Sequence, residues 1–278
     1  MKYTYHPYQI RCLTNLHAGS NGESHAIIDK TVQRDVATGL PTIFSSSMKG
    51  ALREHFEAKF GEDDPIVLHI FGPKPKREEG DEAQGKYRFF SANLLWLPVR
   101  SNVRPFFLTT CPAILHDFKA ANGHFKLRIA VVDKLTGPNS FSSPLGQQAG
   151  IVNHAQAAIL EDELVPSSPM VDALLPTVGA EFEEHLALLK NDLFMPIVQR
   201  LPVIARNQLE NGISQNLWYE EVVPRQTRFY TFFGIPDGDP HQEAFVSTLK
   251  ELIQIGGNAT IGYGQTRFSP LTQTPANA

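Results

Sequence analysis

An α+β fold is predicted for this chain. Short segments in which apolar and polar residues alternate are interleaved with amphipathic helices, and strands flank each clear helix. The content of hydrophobic residues, 42% of 278, is enough to bury a full core in one large domain or two small ones.

Tyr8, Ile10, Cys12, Thr14 and Leu16 alternate with Gln9, Arg11, Leu13 and Asn15, which predicts a half-buried strand. The strand delivers His17 to its end, and His17 to Gly22 is a glycine-broken turn. A polar loop carrying Asp29, Arg34 and Asp35 then turns at Thr38-Gly39-Leu40-Pro41. In the helix that follows, Met48, Leu52, Phe56 and Phe60 recur every four residues and form an apolar face. Ser45, Ser46 or Ser47 is the expected N-cap, because a serine hydroxyl satisfies a free backbone N–H there. Lys49 and Arg53 stand four apart on a neighbouring stripe. Gly50 between them weakens the helix by about 1 kcal/mol against alanine, so something is expected to approach the backbone closely there. Serines, free N–H groups and cations at a helix N-terminus suit a phosphate. An ordinary capped helix with solvated cations is the alternative.

Beyond it come an acidic turn at 61–65, a short apolar segment from Ile66 to Phe71, and a charged stretch from Lys74 to Gly85 read as a mobile loop. Strands are expected at Tyr87–Leu97, Phe106–Thr110 and Phe125–Val132. Cys111-Pro112 to Phe118 is a helix with proline in its first turn. Residues 134–150 lack periodicity and leave the core. Glu181 to Asp192 is expected to be helical, with Phe182, His185, Leu186 and Leu189 on one face. Val203 to Trp218 forms a hairpin around Asn211-Gly212, a dipeptide suited to tight turns. Strands at Leu217–Glu221 and Arg228–Ile235 precede a helix from His241 to Ile255 with Phe245, Leu249 and Leu252 aligned.

That helix ends in G-G-N-A-T-I-G-Y-G, residues 256–264. Four glycines in nine residues let backbone N–H groups face a ligand without Cβ obstruction. An ordinary turn is the alternative, and no Gly-Lys-Ser/Thr follows to make a Walker loop. Gln265–Phe268 is a terminal strand. The β-α-β-β-α-β order fits a ferredoxin-like core in a single domain, 1–278, with insertions at about 61–86 and 134–176.

The net charge is −4 and the pI about 6.2. That argues against charge-driven nucleic-acid binding by the whole domain. Residues 1–60, with seven Lys/Arg against five Asp/Glu, permit a local basic surface. Cys12 and Cys111 have no C-x-x-C spacing, so neither a disulfide framework nor a zinc site is implied. There is no signal-peptide core and no apolar run of ~20 residues, so a soluble, cytoplasmic protein without membrane contact is expected. The absence of G-x-S-x-G excludes a serine hydrolase of the nucleophile-elbow type.

The ordered set H-A-G-S at 17–20, I-D at 28–29, Q-R-D at 33–35, T-G-L-P at 38–41 and S-S-M-K-G-A-L-R at 46–53 resembles the RAMP proteins of CRISPR effector complexes. The likeness is greatest to the repeated backbone subunit of the type III-B complex. It continues through F-G-P (71–73), L-W-L-P-V-R-S (95–101), T-C-P-A-I-L (110–115), L-W-Y-E-E-V-V-P (217–224) and the glycine-rich loop. The resemblance implies an RNA-recognition-motif-like core with a β-hairpin thumb, placed here at 203–218. It implies partners too: CRISPR RNA, target RNA, copies of the chain in a helical stack, and the other type III-B subunits. In such complexes thumbs interrupt the guide–target duplex, and an aspartate in the loop after the first strand cuts the target near each interruption.

Asp29 stands at that aspartate's place. His17 and Glu221 stand where the family has polar residues near the active region, and both are carried as catalytic candidates. Ser46, Ser47, Lys49, Arg53, Gly256, Gly257, Gly262 and Gly264 fall in guide-binding segments. A divalent metal, Mg²⁺ or Mn²⁺, is expected on Asp29, since one carboxylate can hold such an ion with its waters. Two departures stand out. Ser45 replaces the family's usual glycine, and Tyr263 replaces a basic residue between the final glycines, where it is expected to stack on a base. The alternatives are a non-catalytic guide-binding scaffold, a type III-A backbone subunit, or a RAMP-type CRISPR RNA-processing nuclease. Apart from the resemblance, Asp29 reads as a turn aspartate bonding its own backbone.

Overall fold

The computed structural model describes residues 1–20, 28–74, 84–127, 150–168 and 186–271. The expected strand beyond 127, most of the charged stretch, the two ends of the 134–176 insertion, the start of the 181–192 helix and the tail lie outside them. In chain order the described elements are β1 (Tyr3–Cys12), β2 (Thr42–Ile43), α1 (Ser45–Phe60), α2 (Pro65–Phe71), β3 (Arg88–Phe89), β4 (Ala92–Arg100), β5 (Phe106–Thr110) and α3 (Pro112–His124). Then follow β6 (Gly150–Val152), β7 (Ala158–Leu160), β8 (Glu163–Val165), β9 (Leu186–Leu189), α4 (Asn191–Gln199), β10 (Val203–Glu210), β11 (Ile213–Glu221), β12 (Arg228–Pro236), α5 (Gln242–Thr248), β13 (Leu252–Gln254) and β14 (Gln265–Pro270). This mixed α+β chain divides into two compact units. The first comprises Met1–Asn93, Leu201–Arg225 and Phe229–Pro270; the second is centred on Leu94–Arg200.

In the first unit β1 lies between β14 and β12, and β13 follows β14 at the edge. β1 begins five residues ahead of the expected strand, and Pro7 to Ile10 are all buried, so strict alternation holds only toward its ends. α1 buries Met48, Leu52 and Phe56 as the periodicity requires. Its serines do not cap it. Phe44 occupies the cap position without a side-chain bond. Other residues supply what a cap would: Gln33 Oε1 accepts from the Phe44 N–H at 2.7 Å, and Ser91 Oγ accepts from the Ser45 N–H at 3.1 Å. The apolar Ile66–Phe71 is a helix, α2, capped by Asp64, whose Oδ1 accepts from the Ile66 N–H at 2.8 Å. The helix expected over 241–255 stops at Thr248. Leu252–Gln254 is instead a strand whose backbone pairs with β14. Phe245 of α5 meets Phe56 and Phe233 at ring-centroid distances of 5.7 and 5.3 Å, closing an aromatic core.

β10 and β11 form a separate antiparallel hairpin, Val203 opposite Glu221 and Glu210 opposite Ile213, with a bulge after Gln208. Asn211 (φ 52°) and Gly212 (φ 81°) are both left-handed, as a two-residue type I′ turn demands. The paired strands run three residues past the expected end, and most of the hairpin is exposed.

The second unit sets β5 antiparallel to β4 and parallel to β9, with β6 antiparallel to β9. Leu186 to Leu189, expected to be helical, is a strand buried at all four positions. A short continuous apolar run suits a fully buried strand as well as a helix, and burial on both faces decided it. α3 extends six residues past its expected end and buries Ile114, Leu115 and Phe118. The described part of the 134–176 insertion carries β6, β7 and β8. Both cysteines are buried and free. No helix among the described residues is long and apolar enough to cross a membrane.

Candidate functional site

The loop from Ile28 to Pro41 runs beside β11 in the first unit. The N–H groups of Asp29 and Lys30 both donate to the Tyr219 carbonyl at 3.1 Å, and the Glu221 N–H donates to the Lys30 carbonyl at 2.8 Å. Asp29 Oδ2 in turn accepts from the Tyr219 N–H at 2.7 Å. Asp29 is therefore bonded across the fold to a residue about 190 positions away, and its carboxylate remains exposed. Lys30 Nζ lies 5.2 Å from the centre of the Trp218 ring, a cation–π distance.

Glu221 is 4% exposed. Its Oε2 accepts from the Val32 N–H at 3.0 Å and its Oε1 from Arg34 Nη2 at 2.5 Å, while Arg34 Nη1 donates to the Gly39 carbonyl at 2.9 Å. Both oxygens of this expected catalytic carboxylate thus hold the Asp29 loop against β11.

His17 is buried, five residues past the end of β1, and its Nδ1 lies 2.8 Å from the Glu221 carbonyl. A carbonyl only accepts, so Nδ1 carries a proton. Glu220, which the sequence reading passed over, is the most enclosed carboxylate here, at 1% exposure. Its Oε1 lies 3.4 Å from His17 Nδ1 and also accepts from Asn258 Nδ2; its Oε2 accepts from Arg206 Nε at 3.2 Å. The Arg206 guanidinium lies over the Tyr263 ring at 4.7 Å. Glu220 so ties the His17 turn, the base of the hairpin and the glycine-rich loop. Its only sequence signal was a pair of acids ending a strand, whose side chains must face opposite sides.

The glycine-rich loop packs first on its own chain. A Cβ on Gly256 (φ 82°) would meet the His17 carbonyl oxygen at 2.4 Å, and one on Gly264 (φ 75°) the Ile255 carbonyl oxygen at 2.1 Å. The Gly257 N–H donates to the His17 carbonyl at 2.9 Å. Gly262 (φ 81°) faces open space.

On α1, Ser46 is exposed and Ser47 Oγ accepts from Gln33 Nε2 at 2.8 Å. Gln33 Nε2 also donates to the Gly19 carbonyl, which links the helix start to the turn after His17. Arg53 Nε donates to Glu57 Oε1 at 2.7 Å, and its Nη2 is buried without a hydrogen-bond partner. Burial, and then the Arg53 charge, hold the Lys49 ammonium below the usual lysine range. Gly50 is exposed, with nothing within 4 Å of where its Cβ would stand. Among the described residues no group of three or more His, Cys, Asp or Glu side chains is placed to hold a metal.

The site thus joins a mixed α+β chain, a largely exposed hairpin and an exposed acid bonded to one of its strands, with Lys49 and Arg53 on α1. The sequence model of the RAMP superfamily matches residues 9–267, and the chain belongs to that family. It is 28% identical over 273 residues to the CRISPR system Cmr endoribonuclease Cmr4 of Pyrococcus furiosus, covering 91% of this chain and 90% of that one. It is 23% identical over 297 residues to the CRISPR system CMR subunit Cmr4 of Saccharolobus solfataricus, covering 93% and 94%. Among solved structures, a subunit of the type III-B Cmr-beta complex bound to cognate target RNA superposes with a TM-score of 0.76 at 20% identity, covering 96% and 97% of the two chains. Oligomeric Cmr4 from P. furiosus gives 0.68 at 23% identity, covering 98% and 100%.

Proposed function

We propose that this chain is the repeated backbone subunit of a type III-B CRISPR effector complex, and that it binds CRISPR RNA and cleaves complementary target RNA at regular intervals. The observation that carries the reading is Asp29: an exposed carboxylate fixed to the base of the hairpin expected to interrupt the duplex. The names of the relatives support it, one being an endoribonuclease, one a chain in a complex bound to target RNA, and one an oligomer. Copies of the chain stack on the guide beside the other subunits of the complex. An RNA-recognition-motif-like core agrees with the chain order β1-α1-β4-β12-α5-β14 and with the place of β1 between β14 and β12.

RNA carries its own nucleophile, the 2′-hydroxyl, so the protein needs to align it and stabilise the charge that develops. Asp29 supplies the exposed carboxylate. Lys30, Lys49 and Arg53 supply cations for phosphates, and the hairpin splays the strands. Asp29, exposed and with Oδ2 bonded to the Tyr219 N–H, would hold a Mg²⁺ or Mn²⁺ ion, since such ions keep several waters and take only one or two carboxylates. An ion bound there would neutralise charge on the phosphate in the transition state. The test is cleavage by the guide-loaded complex. Evenly spaced products from a complementary target support the reading, and an intact target under conditions of full guide and target binding refutes it in favour of a scaffold.

A further inference from the structure

We propose that Glu220 is a positioning residue for target cleavage, holding His17 with Nδ1 protonated so that Nε2 takes the proton of the attacking 2′-hydroxyl. The proposal deepens the cleavage reading above and rests on it. Nδ1 is committed to the Glu221 carbonyl at 2.8 Å, with the Glu220 carboxylate at 3.4 Å. Nε2 has no hydrogen-bond partner among the described residues. A Cβ on Gly19 would stand 3.0 Å from Nε2 and crowd it, so glycine suits that position.

A carboxylate this enclosed is tolerated only when it is paired, and Arg206 and Asn258 hold it beside the imidazole. It is therefore placed to stabilise the positive charge that the ring gains on taking a proton, as an orienting acid does for a catalytic histidine. Glu221 cannot serve this way, because its side chain points to Val32 and Arg34 and only its carbonyl meets the ring. The His17 turn also lies against the Asp29 loop: the Ser20 N–H donates to the Thr31 carbonyl at 3.0 Å and the Gln33 N–H to the Ala18 carbonyl at 2.8 Å. In the step itself the 2′-oxygen bonds to phosphorus and the bond from phosphorus to the 5′-oxygen breaks. The 2′-hydroxyl proton passes to Nε2. The 5′-oxygen takes a proton from solvent, and the imidazolium returns its own to water.

The experiment is single-turnover and steady-state cleavage by guide-loaded complexes carrying Glu220→Gln, His17→Ala, both, or Asp29→Asn. Glu220→Gln is expected to lower kcat about tenfold and His17→Ala about 10²-fold, the lower end of the scale for a general base, with KM for target RNA within twofold. On the His17→Ala background Glu220→Gln should cost nothing further, because the two act as one unit. An undiminished tenfold loss on that background would mean that Glu220 only holds the fold together, and wild-type rates for Glu220→Gln would likewise overturn the proposal. Should Glu220→Gln fail to fold, ¹⁵N-histidine spectra of the unmodified protein decide: neutral His17 protonated at Nδ1 is expected, and a dominant Nε2–H form is fatal. If Asp29→Asn abolishes cleavage while the His17 and Glu220 variants keep it, this inference fails and the cleavage reading stands.

Discussion

Tyr219 and Asp29 are joined in both directions: the Tyr219 N–H donates to Asp29 Oδ2 at 2.7 Å, and the Tyr219 carbonyl accepts from the Asp29 N–H at 3.1 Å. The acid is thus placed by the backbone of the hairpin strand, and any displacement of that strand carries the acid with it. This couples the position of the proposed duplex-splaying hairpin to the position of the proposed cut.

Asp29→Asn keeps an acceptor for the Tyr219 N–H and removes only the charge. It should melt with the unmodified protein, assemble and retain guide RNA, while target cleavage falls at least ~10²-fold, the scale for loss of an electrostatic catalytic group. Quantified product bands against a constant amount of bound guide test this, and wild-type cleavage would exclude Asp29 as a catalytic carboxylate.

Glu221→Ala should act differently. It strips the Val32 N–H and Arg34 of their shared acceptor in a buried setting. The expected cost is about 1.5–3 kcal/mol of stability for a charge-assisted hydrogen-bond pair, read from denaturant unfolding. Cleavage should fall with it as the loop loosens. A variant as stable as the unmodified protein would show that the clamp contributes nothing measurable.

The parts of this fold governed by local pattern were legible in the sequence. The apolar spacing of Met48, Leu52 and Phe56 located α1 and its buried face, and Asn211-Gly212 located the hairpin turn. The elements decided by distant partners were not. Leu186–Leu189 became a strand because β5 and β6 flank it, and Leu252–Gln254 because β14 does. The same limit applies to the site. The resemblance directed attention to Asp29, but nothing local distinguishes Glu220 from Glu221. Their division of labour arises because strand β11 turns one toward His17 and Arg206 and the other toward Arg34. The serine cap failed for a related reason, since Gln33 and Ser91 reach the helix start from elsewhere in the chain.

Lys49 and Arg53 are expected to hold guide phosphates. Reversing both charges to glutamate should lower RNA affinity and reduce the slope of log K against log salt by at least about 1.4, roughly 0.7 per lost phosphate contact on a single strand. An unchanged slope would leave them as a solvated face.

The lowered Lys49 value adds a pH signature. Phosphate binding needs the charged ammonium, so the Lys49 contribution is present while that group holds its proton. It is lost as pH rises through a value below the usual lysine range. As pH rises, guide affinity should therefore begin to decline at a lower pH than ordinary lysines would produce. Lys49→Arg, which stays charged, should abolish that decline, and fluorescence-anisotropy titrations across the range would detect it.

Cleavage through the RNA's own 2′-hydroxyl makes the most specific prediction, because the nucleophile leaves its mark on the product ends. Asp29 offers an exposed carboxylate fixed to the hairpin strand, and the RNA supplies a hydroxyl next to the phosphate to be cut. On the reading proposed above, the nucleophile is that hydroxyl. The upstream product should then end in a 2′,3′-cyclic phosphate and the downstream one begin with a 5′-hydroxyl. One deoxyribose at a scissile position should block that cut alone and spare its neighbours, since each copy in the stack works on its own phosphodiester. Chelating divalent ions should stop all cuts while the guide stays bound. End-group analysis decides the matter: a 3′-hydroxyl with a 5′-phosphate would make water or hydroxide the nucleophile, and the mechanism would be wrong even with Asp29 essential.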